Sequence, residues 1–198
     1  CAGRLMEEEI SRLENALSSP KKPVMAVVGG AKVSSKLLLL ENLISPMDKI
    51  VIGGGMANTF LAAKGYNIGQ SLCEHEMQDT ARSIMENAKK MNCEIILPID
   101  IVVAKEFAAN TNCETLPADA CPADSMILDA GSQTIKLIHE HLKHTKTVIW
   151  NGPLGAFEVP PFNKATDAAA KYVAEWCYCI CFLPDTLDLI DSMSVPLL

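Results

Sequence analysis

Two glycines and two lysines within residues 29–36 have the types and the spacing of a phosphate-binding segment. An apolar stretch leads into Gly29 and Gly30, and Lys32 and Lys36 follow four residues apart where a helix should begin. Residues at i and i+4 share one helical face, and a helix start adds unpaired backbone N–H groups and the positive end of the helix dipole. The spacing predicts an anion site, although it matches neither the P-loop nor the dinucleotide-binding glycine pattern.

Two further glycine-rich turns follow apolar segments of the chain. Gly-Gly-Gly-Met occupies residues 53–56, and Asn-Gly-Pro-Leu-Gly occupies residues 151–155. Glycine lets a ligand approach the backbone closely, and the carboxyl ends of parallel strands meet at one edge of a sheet. We therefore expect the three turns to share one cleft that takes a planar or phosphorylated ligand.

The elements that must position these turns are short apolar strands separated by helical segments. Strands are predicted at Val24–Val28, Lys49–Ile52, 94–97, 101–104 and 147–150. Helices are predicted at 6–17, 35–44, 57–64, 74–90 and 133–142, the last with Ser132 as its N-cap. This alternation predicts a Rossmann-like α/β fold with three αβα layers and a mostly parallel sheet.

The composition restricts the classes of partner. The chain has 198 residues, is 49% hydrophobic and carries a formal net charge of -7, which argues against nucleic acids and anionic membranes because those surfaces attract basic proteins. No apolar run reaches the roughly 20 residues that cross a membrane. The eight cysteines show neither a Cys-x-x-Cys pair nor zinc-site spacing. We expect reduced thiols, no metal site and a cytoplasmic protein.

The two ends of the chain differ from its middle. Cys1 is either the lipidated first residue of a mature lipoprotein or the start of a fragment, and we favour the fragment. From Trp176 the composition changes abruptly, because residues 176–198 contain three cysteines close together and no glycine or basic residue. We predict a domain at 1–175 and a divergent apolar tail at 176–198 that leaves the sheet incomplete on its C-terminal side. Residues 107–124 are polar and are expected to form a surface excursion.

Five motifs, in order along the chain, resemble the C-terminal nucleotide-binding domain of the phosphoglycerate kinase family. They are Ala-Gly-Arg-Leu-Met-Glu at 2–7, Gly-Gly-Ala-Lys-Val-Ser-Ser-Lys at 29–36, Gly-Gly-Gly-Met-Ala-Asn-Thr-Phe at 53–60, Leu-Asp-Ala-Gly at 128–131 and Trp-Asn-Gly-Pro-Leu-Gly-Ala-Phe-Glu at 150–158. Each motif alone is weak, but five in order leave little room for chance. The resemblance extends to about residue 175 and marks residues 1–20 as the family's inter-domain helix.

The resemblance implies reversible phosphoryl transfer between 1,3-bisphosphoglycerate and ADP in glycolysis, giving ATP and 3-phosphoglycerate. By similarity, Lys36 holds the nucleotide phosphates and Lys32, the implied catalytic residue, holds the transferring phosphoryl group. Gly131 lines the adenine slot, Glu158 accepts hydrogen bonds from the ribose, and Asn151 lies near the phosphates. The implied nucleotide-binding set is Gly30, Ala31, Lys32, Lys36, Gly54, Gly55, Gly131, Asn151 and Glu158.

The sequence departs from the family pattern in three places. Ser35 stands where the family's phosphate segment has an aspartate. The N-terminal domain that holds phosphoglycerate, and the later Gly-Gly-Gly-Asp segment that holds the phosphates and Mg²⁺, are both missing from these residues. We therefore expect ATP or ADP with Mg²⁺ as the cofactor of the family, phosphoglycerate binding only through the missing domain, a monomeric intact enzyme, and no turnover by this chain alone.

Two alternatives belong to other classes of protein. The strand and helix alternation also suits a dinucleotide-dependent dehydrogenase, but the fingerprint glycines and the acidic residue that should follow them are not found. A degenerate chain that binds nucleotide or a partner without catalysis is the other alternative. Titration with ADP, ATP and NAD separates the kinase from the dehydrogenase, and turnover separates the kinase from the non-catalytic chain.

Overall fold

The computed structural model describes residues 20–176 and 179–182. Its strands are β1 (Val24–Val28), β2 (Lys49–Ile52), β3 (Glu94–Ile96), β4 (Asp100–Ala104), β5 (Cys113–Pro117), β6 (Met126–Ala130), β7 (Thr147–Asn151) and β8 (Cys179–Phe182). Its helices are α1 (Leu37–Ile44), α2 (Gly54–Ala63), α3 (Gln78–Lys90), α4 (Ser132–Leu142) and α5 (Lys164–Trp176), with 3-10 turns at Ser34–Lys36 and His75–Met77. The helix predicted at 6–17 lies outside the described residues. Within them, no helix is long and apolar enough to cross a membrane.

Five strands form one parallel sheet in the order β3-β2-β1-β7-β8. The central strand is β1, in which Val28 pairs with Ile52 of β2 on one side and with Asn151 of β7 on the other. Because these three strands end in register, the turns that follow them start at the same edge of the sheet. The predicted α/β fold with a mostly parallel sheet is confirmed.

The side chains of β1 alternate between two hydrophobic cores, one on each face of the sheet. Val24, Ala26 and Val28 pack with apolar residues of α1, α2 and α3. Met25 and Val27 face the other way and pack with apolar residues of α4 and α5. All five side chains are fully buried, and this explains why the strand has no polar position.

A second, antiparallel sheet has the order β5-β4-β6. The strand predicted at 101–104 is present as β4, but it lies in this small sheet rather than among the parallel strands. The prediction that strand and helix alternate throughout is therefore wrong here. The apolar run does indicate a buried strand, but such a run does not encode the direction of its neighbours. The surface excursion at 107–124 contains β5, whose residues are mostly exposed.

The tail expected to leave the sheet edge open contributes a strand to it. In β8, Cys179 pairs with Thr147 and Phe182 pairs with Trp150, both parallel to β7. The expectation that the tail leaves this edge of β7 unpaired is therefore wrong for Cys179–Phe182. Residues 183–198 lie outside the described part, and whether the tail belongs to the original fold stays a prediction.

Helix α4 begins differently from the prediction. Its N-cap is Gly131 rather than Ser132, and the cap makes no side-chain hydrogen bond. The buried carboxylate of Asp100 takes over this function, because it accepts hydrogen bonds from the backbone N–H groups of Gln133 at 2.9 Å and Thr134 at 2.7 Å. Asp100 lies on β4, so a cap from a distant strand was invisible to a rule based on neighbouring residues.

Candidate functional site

The glycine-rich turns after β1 and β7 are packed backbone against backbone. The N–H of Gly29 donates a hydrogen bond to the carbonyl oxygen of Asn151 at 2.8 Å. A Cβ at Gly29 would overlap the carbonyl group of Pro153, and a Cβ at Gly152 would overlap the backbone of Gly29. Glycine is therefore required at both positions for the two turns to touch.

The turn after β2 closes against both of the others. The N–H of Gly54 donates to the carbonyl oxygen of Leu154 at 2.8 Å, and the N–H of Met56 donates to that of Gly30 at 2.9 Å. A Cβ at Gly53 would lie 2.7 Å from the Cα of Leu154. The three turns thus form one continuous floor of backbone, which confirms the predicted shared cleft edge.

Two sources of positive charge converge on this floor. Helix α2 begins at Gly54 and directs the positive end of its dipole at the turn after β1. Lys36, at the end of the 3-10 turn, is half-buried and donates a hydrogen bond from Nζ to the side-chain oxygen of Asn151. The two residues are 115 positions apart in the chain. A held ammonium group beside a helix N-terminus is an arrangement suited to anions.

A cleft of about 640 Å³ opens above the turns. Lys36 and the glycines form its polar end, while the rest of its wall is largely apolar and includes Leu72, Phe107 and Leu128. Leu72 and Phe107 are 54% and 56% exposed, so they present apolar surface to the open cleft. A cleft with one cationic end and apolar walls suits a ligand with an anionic group at one end and a flat apolar ring at the other.

The structure brings most of the predicted nucleotide-binding residues to this cleft. The residues on its wall are Gly30, Ala31, Lys36, Gly54, Gly55 and Glu158. Asn151 is buried beneath the wall and holds Lys36.

Two predicted residues lie elsewhere. Lys32 is exposed in the loop that precedes the 3-10 turn of Lys36, and it is not part of the cleft wall. Gly131 is buried at the start of α4, where a Cβ would overlap the carboxylate of Asp100. The structure therefore gives Gly131 a packing reason for being glycine, independent of any ligand.

Asp129 is a buried acid on the cleft wall that sequence reasoning did not single out as a site residue. Its Oδ2 accepts a hydrogen bond from the N–H of Ala165 at 3.0 Å, and its Oδ1 accepts one from the N–H of Ala130 at 2.9 Å. Burial raises the pKa of Asp129 to about 7, against the lowering effect of these two hydrogen bonds. A carboxyl group linking β6 to α5 thus carries a proton at mildly acidic pH.

The described residues do not offer a metal site of their own. In this part of the chain no three side chains from His, Cys, Asp and Glu are grouped so that they could hold a metal ion. The cleft wall carries Lys36, the amide of Asn58 and the carboxyl groups of Asp129 and Glu158, together with backbone groups and apolar side chains. Its cationic end suits the anionic part of a ligand.

The apolar wall was missed from the sequence. Leu72 and Phe107 lie in segments that connect predicted elements, and nothing in their neighbours distinguishes an apolar residue that lines a cleft from one that fills a core. Asn58 and Met126 also line the cleft. Leu38 is more exposed than either residue and does not line the cleft. The shared position of Leu72 and Phe107 on one wall is therefore a property of the folded chain.

Comparison with known proteins gives a consistent result. The family model described as "Phosphoglycerate kinase" matches residues 1–195. The phosphoglycerate kinase of Ruegeria sp. (strain TM1040) is 59% identical over 175 residues, and that of Jannaschia sp. (strain CCS1) is 62% identical over 175 residues. Each alignment covers 88% of this chain and 44% of the relative. The chain therefore spans less than half the length of these relatives.

Solved structures agree with the sequence relatives. Phosphoglycerate kinase from Coxiella burnetii superimposes with a TM-score of 0.92 at 41% identity, covering 96% of this chain and 50% of that one. Phosphoglycerate kinase from Pyrococcus horikoshii OT3 gives a TM-score of 0.74 at 27% identity, covering 86% of this chain and 44% of that one. Because the family model matches residues 1–195 of the 198 residues in this chain, the chain belongs to the phosphoglycerate kinase family.

Proposed function

We propose that this chain is the nucleotide-binding half of a phosphoglycerate kinase, which transfers a phosphoryl group reversibly between 1,3-bisphosphoglycerate and ADP. The observation that carries the proposal is the cleft at the carboxyl ends of β1, β2 and β7. Three glycine turns form its floor, and Lys36 is held at one end by Asn151. Family membership supports this reaction, and the shape and charge of the cleft support a site for one of its two substrates.

In this proposal the ends of the cleft bind different parts of ADP or ATP. Lys36 and the start of α2 face the phosphates, because both present positive charge there. The apolar wall containing Leu72 and Phe107 lies against the base, and Glu158 accepts hydrogen bonds from the ribose hydroxyls, since a carboxylate offers two acceptor oxygens. The floor of backbone lets the ligand approach closely, and burial in the cleft excludes water from the phosphates.

Lys32 and Gly131 have weaker support. Lys32 is proposed to contact the transferring phosphoryl group, which suits an exposed lysine that faces a second substrate rather than the cleft wall. Gly131 stays a prediction from the resemblance alone, because it packs against Asp100. Mg²⁺ belongs to the cofactor of the family, and the cytoplasmic location and the monomeric state of the whole enzyme also stay predictions.

The proposal is tested by calorimetry on the chain with ADP, adenosine and NAD. We expect ADP to bind more tightly than adenosine, and NAD not to bind comparably. Lys36→Ala removes a charge-assisted hydrogen bond, which is worth about 1.5–3 kcal/mol, so ADP affinity should fall about tenfold or more while adenosine affinity does not change.

Lys136→Ala is the matched control, because Lys136 is an exposed lysine on α4 away from the cleft. It should leave ADP affinity unchanged. Equal binding of ADP and NAD, or an ADP affinity that does not respond to Lys36→Ala, would contradict the proposal.

A further inference from the structure

Glu74 is a buried acid outside the cleft whose carboxylate is committed to the phosphate segment. The residue is 9% exposed. Oε2 accepts a hydrogen bond from the backbone N–H of Ser34 at 3.0 Å, and Oε1 accepts one from the hydroxyl of the same residue. The N–H of Glu74 itself donates to Oγ1 of Thr59 on α2 at 3.1 Å. Glu74 therefore connects α2 to the start of the 3-10 turn 40 residues earlier in the chain.

The turn held in this way has no cap of its own. The residue before it, Val33, makes no side-chain capping bond, and the turn has no acidic residue. The first N–H groups of a helical turn need acceptors, which a side chain near in sequence usually provides. Here the acceptor is Glu74, from another segment.

The carboxyl group is ionised at neutral pH. Burial acts to raise the pKa of Glu74, but the hydrogen bonds from Ser34 and Val33 and the charge of Lys32 lower it below its ordinary value. A hydrogen bond to an ionised carboxylate is stronger than one between two neutral groups. The interaction with the turn is therefore a charged one under physiological conditions.

The position of Ser35 strengthens the case. The residues between Lys32 and Lys36 are Val-Ser-Ser, and the hydroxyl of Ser35 donates to the carbonyl oxygen of Lys32 at 2.8 Å. The segment between the two lysines thus carries no carboxylate of its own. Glu74 brings one to the neighbouring residue from outside.

We propose that Glu74 is a positioning residue for the phosphate end of the nucleotide site: it clamps Ser34, and so fixes the turn that directs Lys36 toward Asn151 and the cleft. This inference rests on the proposed function. Glu74 does not touch the ligand, because it is absent from the cleft wall. Its contribution is to hold the turn in its binding conformation before the nucleotide arrives.

Two measurements on the whole chain test the inference. Amide hydrogen exchange without ligand reports the turn directly, and Glu74→Ala should speed exchange at residues 34–36 while the strands keep their protection. Calorimetry reports the site: Glu74→Ala should lower ADP affinity about tenfold and leave adenosine affinity unchanged, since only the phosphate end is loosened. Glu74→Gln keeps an acceptor oxygen and should restore most of the ADP affinity.

The controls separate positioning from folding. Glu76→Ala changes an exposed acid two residues away and should alter neither measurement. Ser34→Ala removes only the hydroxyl donor of an exposed residue, so it should reproduce part of the effect with no risk to the core. In the double variant Ser34→Ala with Glu74→Ala, the losses should be smaller than the sum of the single losses, because both changes break one interaction.

The outcomes that overturn the inference are distinct from those that overturn the proposed function. Unchanged exchange at 34–36 in Glu74→Ala would show that Glu74 does not order the turn. An equal loss of ADP and adenosine affinity would show that Glu74 does not act on the phosphate end in particular. Tighter ADP binding in both Glu74→Ala and Glu74→Gln would mean that the carboxylate acts by repelling phosphate, which also overturns it. A wild-type chain that does not bind ADP at all would instead contradict the proposed function, and the exchange result would still decide whether Glu74 orders the turn.

Discussion

Asp129 connects the chemistry of one residue to the stability of the chain. Burial raises the pKa of this carboxyl group to about 7 in the folded state, whereas an aspartate in an unfolded chain titrates near 3.9. Between about pH 4 and pH 7 the folded chain therefore holds one proton that the unfolded chain has released. As pH rises through this window, the free energy of unfolding should fall by about 1.4 kcal/mol per pH unit from this group.

The measurement is urea unfolding at several pH values between about 5 and 8. The wild-type chain should lose stability with rising pH relative to Asp129→Asn, which cannot ionise, and the difference should level off above about pH 7. Asp119→Asn is the control, because Asp119 is exposed, and its pH profile should follow that of the wild type. Parallel profiles for the wild type and Asp129→Asn would show that Asp129 does not retain a proton in the folded state.

At the scale of single residues, the sequence identified the groups whose neighbours are close in the chain. Lys36 and the glycines could be recognised because they share one short segment with a helix start. Glu74 and Asp100 could not, because each binds a turn that is more than 30 residues away. A long-range acceptor leaves no pattern in the sequence near the backbone that it caps.

At the scale of elements, the contact among the three glycine turns is the feature that builds the cleft. Gly152 has φ of +98°, and a Cβ there would overlap the carbonyl oxygen of Gly29. Gly65, at the end of α2, has a similar φ of +88°, but a Cβ there would meet no atom within 4 Å. The two glycines have similar positive φ angles and differ in the space around them.

This pair separates backbone strain from packing. Gly65→Ala should destabilise the chain by about 1–2 kcal/mol, the cost of a left-handed conformation for a residue with a Cβ. Gly152→Ala should cost that amount and a further 1–3 kcal/mol, roughly, because the turns after β1 and β7 must move apart. Urea unfolding gives both values, and ADP titration should show weaker binding for Gly152→Ala only. Equal destabilisation by the two changes would mean that the turns tolerate separation.

The bounds of a strand could be predicted from the sequence where both of its faces are buried. Strands β1 and β2 have the predicted bounds, because a strand covered on both faces leaves a continuous apolar run between turns. Strand β5 is mostly exposed and has no such run. The antiparallel direction of β4 could not be predicted from its own sequence, because it is set by its partners β5 and β6. Strand β8 was interpreted as part of a tail, because its cysteine-rich composition differs from that of the other strands.

At the scale of the whole molecule, the proposed reaction needs sites for two substrates, and the cleft suits one of them. The chain spans 44% of the length of its Ruegeria and Jannaschia relatives, and the cleft it contains is suited to a nucleotide. Lys36 supplies the cationic side chain on the wall of that cleft, and the chain as a whole has a formal net charge of -7. A phosphoglycerate, which is itself anionic, would be repelled by this charge unless a separate basic surface held it.

We therefore expect nucleotide binding without measurable phosphoryl transfer by the 198-residue chain. Holding two reactants together contributes on the order of 7–11 kcal/mol to lowering a barrier, and this contribution disappears for a chain that holds one of them alone. A coupled assay with ATP, Mg²⁺ and 3-phosphoglycerate should give no turnover above background. Adding back a family N-terminal domain and the Gly-Gly-Gly-Asp segment in one polypeptide should restore it, and Lys32→Ala should then abolish it. Turnover by the chain alone that is lost in Lys32→Ala would show instead that these 198 residues hold both substrates.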